Sequence, residues 1–189
     1  VSDTEVETPV ELPHRAQVDP IVGYKKVKLG MSKHKLTVSG EWRAYESLDQ
    51  TAVCHKYPKP EVEHMAPDID CTCGLYGYNE RKSVSTYGAN YAIATVEAFG
   101  FIIMHETGYK ASRQRISLIE LGSACEICDL MNDNRRIADA IYIGVGGTDI
   151  HHLCAEHGEM ACRMNAAMRL SVSEISDRLG VPVTWELLQ

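Results

Sequence analysis

The 189 residues, 44% of them apolar, suffice to fill one ordinary hydrophobic core or two small ones. A formal charge of −7 excludes a strongly basic nucleic-acid footprint, and apolar stretches such as Ala92–Val96 and Phe101–Met104 fall far short of the ~20 residues that span a bilayer. Acids stand where a signal peptide needs bases, so a soluble, cytoplasmic chain without membrane association is expected.

Five acids (Asp3, Glu5, Glu7, Glu11 and Asp19) against Arg15 give the first twenty residues a charge of −4. With Pro9, Pro13 and Pro20 among them, residues 1–20 bury too little apolar surface to offset their ordering entropy and read as a disordered acidic tail. The apolar pattern of Val22, Tyr24, Val27 and Leu29 then predicts a strand, Gly30–Lys33 a turn, and Leu36, Val38, Trp42 and Ala44 the returning strand of a hairpin. Lys25, Lys26, Lys28, Lys33 and Lys35 make that hairpin locally basic, in keeping with a solvated face. Pro58–Asp70 holds Pro58, Pro60 and Pro67 among Glu61, Glu63, Asp68 and Asp70 with no periodicity, a loop that something must tie down.

Ala92–Met104 is β-branched and aromatic, broken by Gly100, and predicts one bent strand or two short ones. Tyr109–Leu121 reads as the strand after a turn at Gly108, and together these segments suggest a small, mostly antiparallel sheet or half-barrel. The glycine-rich Ile141–Thr148 lacks the Lys-Ser/Thr of a nucleotide loop and reads as a hairpin turn. From Cys162 to Leu179 the apolar residues Met164, Ala167, Met168, Leu170, Ile175 and Leu179 fall close to a helical period. Ser171 and Glu174 form a capping box, so a helix is expected to start at Ser171 and stop at Gly180, before Pro182. The expected fold is therefore α+β, with a mainly β domain over 21–121, a second zinc-knuckle region over 122–189 and a helical C-terminal third.

Seven cysteines, an odd number clustered with histidines at short spacing, point to metal ligation rather than to a disulfide framework. The first cluster is Cys54, His64, Cys71 and Cys73, thiol and imidazole donors of the kind zinc selects. A Cys-x-Cys pair in extended backbone turns both thiols to one face, and Gly74 supplies the bend that a shared ion demands. Four protein donors close a tetrahedral shell, which makes the metal structural rather than catalytic. His55 is the rival histidine, and Asp68 and Asp70 are weaker alternatives. The second cluster pairs Cys125-x2-Cys128 with Cys154-x2-His157, the two-knuckle spacing of zinc ribbons, with His151, His152 and Cys162 nearby as substitutes. One zinc is expected at the first cluster, and the second offers a place for another.

His105-Glu106 has no activated nucleophile beside it, and the chain contains neither Gly-x-Ser-x-Gly nor His-Glu-x-x-His, so a turn-forming role is expected there. Ser171–Pro182 resembles the first helix and turn of a helix-turn-helix. The following Val183–Gln189 carries no Arg or Lys to reach phosphate, so a packing helix and terminal strand are expected.

Several segments resemble a family of small proteins from actinobacteria and their phages that has no defined biochemical activity. The likeness lies in His64-Met65-Ala66-Pro67, in Cys71-Thr72-Cys73-Gly74-Leu75-Tyr76, in Val96–Gly100, in His105–Ala111 with Lys110 where the family has arginine, and in Arg178–Val183. The resemblance implies an origin and a zinc motif but no mechanism. The expected function is a non-enzymatic, zinc-stabilised accessory module acting through a protein partner. The alternatives are a nucleic-acid-binding regulator using zinc knuckles and the basic hairpin, and a zinc hydrolase with an open coordination position.

Overall fold

A computed structural model describes residues 19–32, 35–40, 47–54, 64–84, 91–131, 137–144, 150–164 and 167–185. Most of the predicted acidic tail, Lys33, Trp42, Ala44, His55, the proline loop as far as Glu63, Val145–Thr148 and the chain after Trp185 lie outside the described residues.

The first hairpin pairs β1 (Ile21–Ser32) with β2 (Lys35–Ser39), from Lys28 opposite Ser39 to Ser32 opposite Lys35. Of the apolar residues that predict β1, Val27 and Leu29 are buried, whereas Tyr24 is half-buried and Val22 exposed on the alternate face. The lysines do not share one solvated face. Lys25 lies partly buried between Gly23 and Val27 in the inward set, where burial lowers its amine to about 8, and Lys26 stacks its ammonium 3.8 Å from the Tyr91 ring centroid.

β3 (Asp49–Thr51), β4 (Leu75–Tyr78), β5 (Tyr91–Met104) and β6 (Gly108–Leu121) follow. β5 and β6 form the long central hairpin, and Gly100 is where it bends: its φ is +79°, and the register slips between Phe99 and Ile102. The Phe101 N–H, turned out of the ladder, donates to Ser112 Oγ at 2.9 Å. β1 pairs with β5, β5 with β6, β6 with β4, and β4 returns to β1 through Tyr78 opposite Tyr24. The four strands thus close a small antiparallel ring where sequence pattern suggests a half-barrel.

Tyr109 of β6 plugs this ring. Its side chain is 1% exposed and lies against the backbone of Gly23 and Gly77, where an added Cβ would overlap the phenol ring. Gly77→Ala should therefore destabilise the chain by about 1–3 kcal/mol through overpacking, measured as a lower urea midpoint at unchanged m.

The second half contributes α1 (Glu126–Leu130), β7 (Ala140–Gly144), β8 (Ile150–Leu153), α2 (Ala155–Arg163), β9 (Ala167–Leu170), α3 (Val172–Leu179) and β10 (Val183–Trp185). β7 lies between β8 and β9 in a three-stranded antiparallel sheet, and β10 joins β6 of the large sheet in parallel. The span from Cys162 to Leu179 is not helical throughout. Ala167–Leu170 is a strand, with Leu170 opposite Ile141 and Met168 opposite Ile143, because burying Leu170 against β7 outweighs a helical spacing carried by few residues.

α3 is bounded as its sequence predicts. Ser171 Oγ accepts the Glu174 N–H at 3.2 Å, the Glu174 carboxylate accepts the Ser171 N–H at 2.8 Å, and Gly180 ends the helix at φ +68°. Ser171→Ala should cost about 1 kcal/mol of unfolding free energy, read from chemical denaturation.

One large core joins the two sheets, with Val27, Leu29, Val96 and Ile119 packed in the same cluster as Ile141, Ile150, Leu170 and Ile175. A smaller one gathers Cys125, Cys128, Ala140, Tyr142, Leu153 and Cys154. No helix among the described residues is long and apolar enough to cross a membrane.

Candidate metal centres

β6 organises the first cluster from both sides. The segment after β3 is tied to it by the Ala52 N–H, which donates to Ser112 O at 2.7 Å and delivers Cys54. β4, paired with Tyr109–Ala111, fixes the end of the loop that carries Cys71 and Cys73. Within that loop Asp68 Oδ1 accepts the Asp70 N–H at 2.9 Å, and the Tyr76 hydroxyl donates to Thr72 O at 2.7 Å. Asp68 is thus engaged in turning the chain. Gly74 leaves the loop at φ +127°, and a Cβ there would press at 3.0 Å on both Lys110 and Pro67. The Lys110 side chain is 4% exposed and donates to three loop carbonyls, Asp68 at 2.7 Å, Cys71 at 2.9 Å and Ile69 at 3.5 Å.

Here the Sγ atoms of Cys54 and Cys71 stand 3.8 Å apart, and His64 Nε2 lies 3.3 Å from Cys73 Sγ. The Cys73 N–H holds the Cys71 thiol down to about 7, while burial, then the neighbouring Cys71, pushes Cys73 up. Of these two thiols, Cys71 is thus the more readily ionised.

The second cluster is built from two helix starts. Cys125 caps α1, with Cys128 in its first turn, and Cys154 caps α2, with His157 in its first turn. Both knuckles turn the partial positive charge of a helix N-terminus toward thiols. Burial opposes ionisation of Cys125, but the backbone N–H groups of Cys128 and Cys154 and the His157 ring outweigh it, so this thiol falls to about 7. His157 Nδ1 lies 3.5, 3.4 and 3.4 Å from the sulfurs of Cys125, Cys128 and Cys154, and Cys128 and Cys154 are 3.9 Å apart. One nitrogen nearly equidistant from three sulfurs is the apex of a tetrahedron.

The substitutes stand outside this set. The Glu126 carboxylate takes up His151 Nδ1 at 3.0 Å and accepts the His152 N–H at 2.9 Å. The His152 ring lies 2.9 Å from Gly122 O through Nδ1 and sits edge-on to Trp185, 3% exposed, its pKa lowered by burial. Cys162 packs beside the small core from α2 without joining the four donors.

The donor atoms of each cluster all lie within 4.8 Å of one another. A tetrahedral zinc with bonds of about 2.3 Å to sulfur and about 2.0 Å to nitrogen separates two sulfurs by about 3.8 Å and a sulfur from a nitrogen by about 3.5 Å. The observed separations match those edges, so each cluster could hold a metal ion such as zinc. None of the seven cysteines forms a disulfide, and sulfurs 3.8 and 3.9 Å apart stand far beyond the roughly 2.05 Å of such a bond. Sequence spacing singles out the donors but not Lys110 or Glu126. Only a lysine set between Tyr109 and Ala111 in a buried strand hints at the first of these.

No family model, curated protein or solved structure matches this chain. What the geometry defines is a mixed α+β chain with two Cys3His clusters, one in a loop and one between two helix starts.

Proposed function

We propose that the chain is a non-enzymatic binding module stabilised by two structural zinc ions, acting on a protein partner in an actinobacterial or phage setting. The observation that carries the structural role of the metal is the closure of both donor sets. Each set supplies three sulfurs and one nitrogen, and an ion bound by all four would have no coordination position left for a water or a substrate. That closure also weighs against a hydrolase, which needs three protein ligands and a solvent-filled fourth position. A nucleic-acid role draws some support from the cations stacked on the sheet, Lys26 on Tyr91 and Arg113 on Phe99, but the net charge of −7 opposes it.

The metal assignment is tested by elemental analysis of Cys154→Ser and Cys162→Ser variants. Wild-type and Cys162→Ser protein should each carry two zinc ions per chain, and Cys154→Ser should carry one. Equal loss in both variants would place Cys162 in the donor set. The partner is sought by capture from an actinobacterial lysate on the metallated chain, with a stoichiometric complex that chelation dissolves as the expected result. A low-salt mobility shift with nucleic acid and no such complex would reverse the choice.

A further inference from the structure

The loop bearing three of the first centre's donors closes around a charged side chain that is not itself a donor. Lys110 leaves β6 beneath Gly74 and Pro67, and its ammonium collects the carbonyls of Asp68, Ile69 and Cys71. These carbonyls belong to the turn between His64 and Cys73, so one cation fixes the path on which those donors hang. Among the described residues, all its hydrogen bonds go to these carbonyls, and it is 4% exposed. A buried ammonium without a carboxylate is costly unless negative charge stands near it. Three thiolates and one divalent ion would carry one net negative charge, and the ammonium lies 2.9 Å from the carbonyl of the donor residue Cys71.

We propose that Lys110 is the positioning residue of the first metal centre, gathering its loop into donor geometry and offsetting the charge of the metal–thiolate unit. This rests on the zinc assignment above. Residues that orient metal ligands from outside the donor set typically govern affinity by about 10–100-fold. Lys110→Met should weaken one of the two bound ions by about that factor and leave the other unchanged. Lys110→Arg, which keeps charge and donors, should restore most of the loss.

The experiment is competition of the zinc-loaded chain with a chromophoric chelator, together with cadmium-113 NMR. Each centre gives its own cadmium resonance, assigned with Cys73→Ser for the first centre and Cys154→Ser for the second. Selective loss or exchange broadening of the first resonance in Lys110→Met supports the proposal. Unchanged affinity, or equal weakening of both ions, overturns it, since equal weakening reports only general destabilisation. Should Lys110→Met fail to fold, Lys110→Gln is judged by the same two outcomes. A wild-type chain that binds no zinc would sink the metal assignment and this inference together, whereas two bound ions indifferent to position 110 would sink the inference alone.

Discussion

Stripping the metal from the zinc-loaded chain with a strong chelator is expected to lower its melting temperature by at least about 10 °C, and to do so unevenly across the fold. The reason lies in what each cluster has besides its donors. Of the six buried residues in the smaller core, three are the donors Cys125, Cys128 and Cys154, leaving Ala140, Tyr142 and Leu153, with Ile127, Ala161, Cys162 and Ala167 only partly buried against them. That is too little to hold two short helix starts together against their conformational entropy. The first loop is in the same position, since between His64 and Gly74 only Ala66, Pro67 and Cys71 are buried. Structural zinc sites return about 10–16 kcal/mol of apparent binding free energy in small finger peptides, so even a fraction of that removed from each site exceeds the expected shift. The large core is different, because more than half of its buried residues come from the long paired strands β1, β5 and β6 and none is a donor. Hydrogen exchange should accordingly rise in 64–78, 122–131 and 153–164 on chelation while β1, β5 and β6 stay protected. Superimposable melting curves with and without chelator would mean that the clusters are ordinary buried thiols.

The parts of this fold that can be read from sequence are those whose cause is local. Alternation over Val27, Leu29, Leu36 and Val38 specifies the first hairpin, Gly100 marks the bend in β5, and Ser171, Glu174 and Gly180 write both ends of α3. The members of the two clusters stand out for the same reason, because thiols and imidazoles at knuckle spacing have few other uses. What stays hidden depends on residues far apart in the chain. β4 closes the ring with only four residues, two of which, Tyr76 and Tyr78, are exposed, and its order comes from β6 beside it. β9 is short enough for its pairing with β7 to decide against the helical spacing that contains it. The parallel contact of β10 with β6 needs the whole of α1 to α3 to be laid down between them. Lys110 likewise looks like a surface lysine until three carbonyls, 39 to 42 residues earlier in the chain, are brought to its ammonium.

Gly158→Ala should lower both overall stability and metal affinity at the second centre, even though helix propensity alone predicts a gain of up to about 1 kcal/mol for this change inside α2. The helix lies on β7 through this glycine. A Cβ at position 158 would fall among the ring atoms of Tyr142, which is 2% exposed and packed in the small core, so the ring has little room to swing away. The strain is therefore relieved by moving α2, and α2 carries the donors Cys154 at its cap and His157 directly before the glycine. An imidazole nitrogen held 3.4 to 3.5 Å from three sulfurs does not keep those separations if its helix lifts by about the width of a methyl group. Overpacking of this kind costs about 1–3 kcal/mol, so the sign of the stability change separates tertiary contact from intrinsic propensity. Chelator competition should show loss at the second ion only, the converse of the pattern expected at position 110. Shrinking the ring with Tyr142→Leu in the same chain should recover part of the loss, a coupling that a double-mutant cycle measures directly. A Gly158→Ala chain more stable than wild type, with both ions bound as tightly, would show that α2 does not owe its position, or His157 its aim, to the contact between residues 158 and 142.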